Sequence, residues 1–209
     1  MTNKLLTRAN FAGYGIRLML AAAVTVSASC GDLATAGKSP VYLILERLDA
    51  APGDAPNNFG APFFSDVQFV DATTTTVFND IGRATIRAEL KNTTLGPTAA
   101  TSVNTITLTR YRVTFKRADG RNTAGVDVPY GFDGVVTRTV AIGASQPVIF
   151  DLVRHQNKME PPLRNLINGG GLGFITTIAE ITFYGHDQAG NEVTTAGSLD
   201  VQFGDIRNQ

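Results

Sequence analysis

The sequence predicts an all-β body, a single antiparallel β-sandwich with one short helix, preceded by a cleavable signal helix. Three observations carry this. Residues 83–91 alternate strictly, with Ala84, Ile86, Ala88 and Leu90 on one parity and Arg83, Thr85, Arg87, Glu89 and Lys91 on the other. A period of two with one apolar face is the pattern of a half-buried antiparallel strand. Thr- and Val-rich segments recur between Gly, Pro, Asn and Asp clusters, and branched side chains favour the pleated sheet. Ahead of them lies a leader with Lys4, Arg8 and Arg17, no acid, and a short apolar run ending in small residues, the pattern of a secretory signal. That run is too short for a spanning helix, which needs about 20 apolar residues.

The leader closes on Val26-Ser27-Ala28-Ser29-Cys30. This resembles a bacterial lipoprotein lipobox. Small residues fill the two positions before the cysteine, and Ser27 stands where leucine is usual. The resemblance implies cleavage before Cys30 and lipidation of its thiol and new amine with diacylglycerol and a further acyl chain such as palmitate. Plain secretion with cleavage nearby is the alternative. Cys30 is the one cysteine of the chain. A lone cysteine in an exported protein is an unpaired thiol unless it is modified, and stable anchoring takes at least two lipid signals. Gly31 rather than Asp follows the cysteine, which by the same resemblance favours the bacterial outer membrane. The division expected is a signal peptide at 1–29, a lipidated cysteine and tether at 30–39, and the sandwich domain at 40–209. The nine residues after Cys30 reach at most about 30 Å. The body is therefore expected close to the membrane, and because surface-displayed lipoproteins often carry longer arms, the resemblance implies the periplasmic face rather than the cell surface.

Charge narrows the partners. The chain has 18 basic and 18 acidic residues, and losing the leader's three cations leaves the mature part near −3. A mildly acidic body lacks the basic stripe that nucleic-acid binding uses. The membrane through its lipid, an envelope protein or a glycan remain as partners.

Each element follows from local pattern. Residues 41–48 read as a first strand, 50–64 as a loop rich in Pro, Gly, Asn and Asp, and 65–70 as a short strand. Residues 105–117 form a long strand whose apolar parity changes from Ile106 and Leu108 to Tyr111, Val113 and Phe115; a switch near 109–110 predicts a bulge. Residues 126–134 read as loop, and 135–142 and 148–155 as strands. Residues 159–167 read as a short helix, with Pro161 and Pro162 at its start and Asn168-Gly169 at its end. Residues 174–185 and 192–203 are the closing strands around the turn Asp187-Gln188-Ala189-Gly190-Asn191. That final hairpin, with its Asp-x-x-Gly-Asn turn, resembles the last two strands of bacterial immunoglobulin-like domains. The likeness covers about 30 residues. It implies an immunoglobulin-like or fibronectin-type sandwich of about seven to nine strands, the short helix crossing between sheets before the penultimate strand.

Candidate chemistry is sparse. His186 adjoins Asp187, but neighbours on a strand face opposite ways, and a solvated turn pair is the plainer account. No serine lies in a Gly-x-Ser-x-Gly elbow, and zinc-ligand spacing is missing, so an enzyme is not expected and a hydrolase is the third choice. Calcium takes oxygen ligands, and Asp187, Asn191 and Glu192, or Asp127 and Asp133, could supply some; ordinary turn formation explains the same residues. Gly169-Gly170-Gly171-Leu172-Gly173 follows a helix and precedes a strand, the reverse of a phosphate cradle. The aromatic loops are the binding candidates: Phe59, Phe63 and Phe64 in one, Tyr130 and Phe132 in another. Plugging the sandwich ends is their alternative role. If every segment reverses direction, the Phe59 loop and Asp187 share one end while Tyr130, Phe132 and the helix share the other. The expectation is a membrane-anchored, non-catalytic binding or structural module acting through end loops or a strand edge, with a calcium- or carbohydrate-binding module as the alternative.

Overall fold

A computed structural model describes residues 38–71, 73–91, 104–169 and 173–206. Cys30, the leader and the first part of the tether lie outside the described residues. In chain order the strands are β1 (Val41–Ala51), β2 (Phe63–Asp66), β3 (Phe69–Val70), β4 (Thr75–Thr76), β5 (Asp80–Leu90), β6 (Ile106–Lys116), β7 (Phe132–Val140), β8 (Ser145–Val153), β9 (Phe174–His186) and β10 (Glu192–Gly204). A helix α1 (His155–Met159) and a 3₁₀ segment (Leu163–Gly169) join β8 to β9.

β5 is the strand announced by the alternation. Ala84, Ile86 and Ala88 are buried and Leu90 is half-buried. It pairs antiparallel with β1 on one side and β8 on the other, making a three-stranded sheet. The second sheet runs β2-β10-β9-β6-β7, and β3-β4 is a small separate ribbon. The bulge expected in the long strand is present: both ladders of β6 shift register between Leu108 and Arg110. The extra residue turns Tyr111, Val113 and Phe115 onto the same inner face as Ile106 and Leu108, and all five are buried.

The two sheets close on each other as an all-β sandwich. β1, β5 and β8 stand opposite β6, β7, β9 and β10, with hairpins β6–β7 and β9–β10 in one sheet and crossings β5–β6, β7–β8 and β8–β9 between sheets. This is the strand order of an immunoglobulin-type domain. The helical link lies before the penultimate strand, as expected. The pairing of β2 with β10 is parallel, so the second sheet is mixed rather than wholly antiparallel.

Aromatic rings bridge the sheets at the core. Phe150 of β8 meets Phe183 of β9 and Tyr111 of β6 with ring centroids 5.3 and 5.2 Å apart. Such edge-to-face pairs each contribute about 0.5–1.5 kcal/mol beyond the area they bury. The Tyr111 hydroxyl accepts a hydrogen bond from the Asp151 N–H at 3.1 Å, tying the two layers. Phe150 fits only because residue 82 on the adjacent strand is glycine: a Cβ there would lie 2.3 Å from the ring's Cζ.

Two expectations need correction. The helix lies at 155–159, ahead of the predicted 159–167. The reason is Pro161-Pro162: the residue before a proline is pushed out of the α region, and Glu160 is extended at φ −115, ψ 155. Only the tighter 3₁₀ segment follows, ended by Asn168 at φ 59 as its sequence suggested.

The second correction concerns the ends. β2, β3 and β4 are too short to cross the sandwich, so the chain returns to the same end before β5 begins. Phe64 pairs with Gln202, whereas Glu192, beside the Asp187 turn, pairs with His186 at the opposite extremity of β10. The Phe59 loop therefore belongs with Tyr130, Phe132 and α1 at one end, called the far end below. The near end carries the Asp187 turn and the start of β1.

Candidate functional site

The near end is where the chain enters the sandwich. The Ser39 hydroxyl accepts from the Val41 N–H at 3.2 Å and also bonds the Asp187 side chain. Asp187 Oδ1 accepts from the N–H groups of Ala189 and Asn191, both at 2.9 Å, and Oδ2 accepts from Asn191 Nδ2 at 2.9 Å. Burial alone would raise this carboxyl, but the donors of Asn191, Ser39 and Ala189 outweigh it and hold it below the usual carboxylate value. Both oxygens are thus engaged in shaping the turn, and Asn191 presents its amide nitrogen to Asp187. Glu192 is exposed at the start of β10. Asp127 accepts from the Thr123 N–H, and Asp133 is forked by Arg112 at 2.9 and 2.8 Å. Among the described residues no group of three or more His, Cys, Asp or Glu side chains is arranged to hold a metal ion. The His186 ring nitrogen Nδ1 meets the backbone oxygen of Asp187 at 3.1 Å, not its carboxylate. His155 lies at the other end, its Nδ1 3.0 Å from Asn79 Oδ1.

The far end is organised by a buried charge. Asp80, the first residue of β5, is 1% exposed. Its Oδ1 accepts from Lys158 Nζ at 2.8 Å and the Gly53 N–H at 3.2 Å, and its Oδ2 accepts from the Ser65 hydroxyl at 2.6 Å. Lys158, on α1, is 2% exposed. Burial pushes the Asp80 carboxyl up, opposed by Lys158, Ser65 and Gly53. One side chain therefore fastens the 52–62 loop, β2 and α1 to the sheet. Sequence reasoning missed this hub because its members are far apart, Lys158 and Asp80 by 78 residues.

The predicted aromatics divide. Phe63 is buried in the core through β2. Phe59 is half-buried beneath the Arg83 guanidinium, 4.0 Å from its ring centre. Phe132 belongs to β7 rather than to a loop, and is covered by Arg154 at 3.9 Å. These three therefore pack into or onto the body. Phe64 is 55% and Tyr130 50% exposed. Tyr130 lies over Gly125, and its backbone oxygen accepts from Asn157 Nδ2 at 2.9 Å.

Phe64 opens a groove of about 600 Å³ across the outer face of the second sheet. Strand register builds it. Phe64, Gln202 and Thr176 form one cross-strand row over β2, β10 and β9, and the Gln202 amide donates to the Thr176 hydroxyl at 3.3 Å. Phe174, 52% exposed, stands in the next row opposite Gly204. A Cβ at 204 would lie 2.5 Å from the Phe174 ring, so glycine lets that ring lie over the strand. Arg117 and Asp119 line the groove as well, joined by two hydrogen bonds of 3.1 and 2.7 Å. Arg117 first, then Arg121, hold the Asp119 carboxyl far below its usual value. Sequence parity gave a signal for Phe174, which stands out of phase with the inward Ile175, Thr177, Ala179, Ile181 and Phe183.

No family model matches the chain. No curated protein matches it either. A solved structure titled "X-ray structure of Northeast Structural Genomics Consortium target SoR45" is similar over 81% of this chain and 90% of its own, at 7% identity and a TM-score of 0.34.

Proposed function

We propose that the protein is a lipid-anchored envelope lipoprotein of the bacterial outer membrane, held through Cys30 on the periplasmic face, and that its body is a non-catalytic binding module. The observation that carries this reading is polarity. The chain enters the sandwich at the near end, where Ser39 meets Asp187, while the groove and the exposed Phe64 and Tyr130 lie at the far end. A tether at one end and an aromatic-flanked concavity at the other suit a module that holds a partner away from the bilayer. Rigid strands fix the groove residues in place, which favours recognition. The mildly acidic charge agrees with a partner other than nucleic acid.

A second reading has its own support. β7 is an edge strand, and Val135 on it is 87% exposed. An open edge can accept a strand from another protein, as an accessory subunit of an envelope complex would require.

The test is a native-membrane pull-down with the intact protein and a Cys30→Ser control, together with mass spectrometry of the mature amino terminus. The proposal expects a lipidated N-terminal cysteine and a partner lost when Phe64 and Phe174 are replaced by alanine. An unmodified thiol at that terminus refutes the anchor. Partner capture insensitive to Phe64 and Phe174 but abolished by Val135→Lys moves the function to the strand edge.

A further inference from the structure

The groove beside Phe64 also carries information about its ligand, on the reading that it is the binding site. It lies across the strands, on the face of the sheet. The backbone groups beneath it are already paired between β2, β10 and β9. It therefore offers no free ladder for an extended peptide, whose affinity comes from main-chain hydrogen bonds at an edge. Its charged lining is Arg117, Asp119 and Asp200, one cation against two acids, with Arg117 already committed to Asp119. That balance disfavours phosphate groups, nucleic acid and anionic lipid, which need surplus positive charge.

What remains is two exposed aromatic rings and a set of polar groups that line the same groove. Phe64 and Phe174 provide flat apolar faces. The Gln202 amide, the Thr176 hydroxyl and the Asp200 carboxylate line the groove with them. Amides and carboxylates can each engage neighbouring hydroxyls, and a hydroxyl both donates and accepts. A sugar ring has the complementary form: a face of C–H groups that packs on an aromatic plane, and a rim of hydroxyls that pairs with planar polar groups. A volume of about 600 Å³ falls within the usual span of small-molecule sites.

We propose that this groove binds a neutral oligosaccharide, with Phe64 and Phe174 stacking on sugar rings and Gln202, Asp200 and Thr176 bonding their hydroxyls.

The test is calorimetric titration of the full lipidated chain, held in a zwitterionic detergent free of sugar headgroups, after screening on an array of neutral glycans that includes chitohexaose, cellohexaose and mannohexaose. At least one array glycan is expected to bind saturably. Phe174→Ala and Phe64→Ala should each weaken it about tenfold, the loss of one aromatic stacking contact. Ile149→Ala, an exposed site on β8 of the other sheet, should leave it unchanged. Circular dichroism of each variant verifies the fold. No binding by any neutral glycan overturns the proposal, and so does binding that survives Phe64→Ala/Phe174→Ala. If glycans fail while the membrane pull-down still captures a partner through Phe64 and Phe174, the ligand class falls and the binding module stands.

Discussion

Replacing Lys158 by methionine tests whether the Asp80 hub holds the far end together. The substitution keeps much of the stem and removes the ammonium, leaving Asp80 with the Ser65 hydroxyl and the Gly53 N–H as partners. Both members of the pair are almost wholly buried. Taking one partner from a buried ion pair costs about 3–5 kcal/mol, because the other charge stays behind in a poorly solvating interior. For a body of this size each kcal/mol lowers Tm by about 2–4 °C, so the expected fall is roughly 6–20 °C. Adding Asp80→Asn should recover most of it, leaving the double variant about 1–2 kcal/mol below the native chain. The asparagine oxygen still accepts from Gly53, and its amide can donate to Ser65. The assay is urea unfolding at neutral pH of the four members of the double-mutant cycle. The loss in Lys158→Met should also shrink in acid. Burial raises the Asp80 carboxyl and removing the cation raises it further, so protonation discharges the orphan and the deficit grows as pH rises through the folded value. A single-variant loss below about 1 kcal/mol, or single losses that simply add in the double variant, would show that water reaches the pair and would refute the argument.

Two other expectations follow from particular contacts. Asp187→Ala removes the acceptor of three hydrogen bonds that shape the β9–β10 turn and should cost about 2–3 kcal/mol at pH 7. Because the folded carboxyl titrates below its unfolded value, its contribution is present above about pH 4 and is lost as pH falls through the folded value. Melting curves from pH 7 to pH 2 should show the gap to the native chain closing, and a constant gap would contradict the linkage. Gly82→Ala places a methyl group against the Phe150 ring. It should destabilise by about 1–3 kcal/mol through overpacking, and Gly82→Ala/Phe150→Leu should recover part of that loss in the same urea assay.

How much of this could be read beforehand depends on the range of the interaction. The alternation of β5 is local, so residues 83–91 announced their strand and their inward face. The parity change in β6 is local too, and it marked the bulge between Leu108 and Arg110. The Asp187 turn is formed by side-chain hydrogen bonds within four residues, and its Asp-x-x-Gly-Asn pattern betrayed it. What failed was long-range or depended on length. The short β2, β3 and β4 look like one crossing strand when only residue type is considered, and that miscount sent the Phe59 loop to the wrong end. Of the aromatics named in advance, Phe64 reaches the groove; Phe174 and Gln202 enter it only because register sets them opposite Gly204 and Thr176. The hub of Asp80, Ser65, Gly53 and Lys158 joins segments with no sequence pattern in common.

The position of β1 has a mechanical consequence. Its first residues sit at the end where the chain arrives, and its ladder with β5 runs the length of the strand from Val41 opposite Leu90 to Ala51 opposite Ile81. If the amino terminus is anchored and a ligand is held beside β10, as proposed, tension between them would pull β1 along its own axis. Its rungs would then be strained in shear, all at once, rather than peeled open one after another. A fold threaded in this direction resists stretching far better than it resists being pulled sideways.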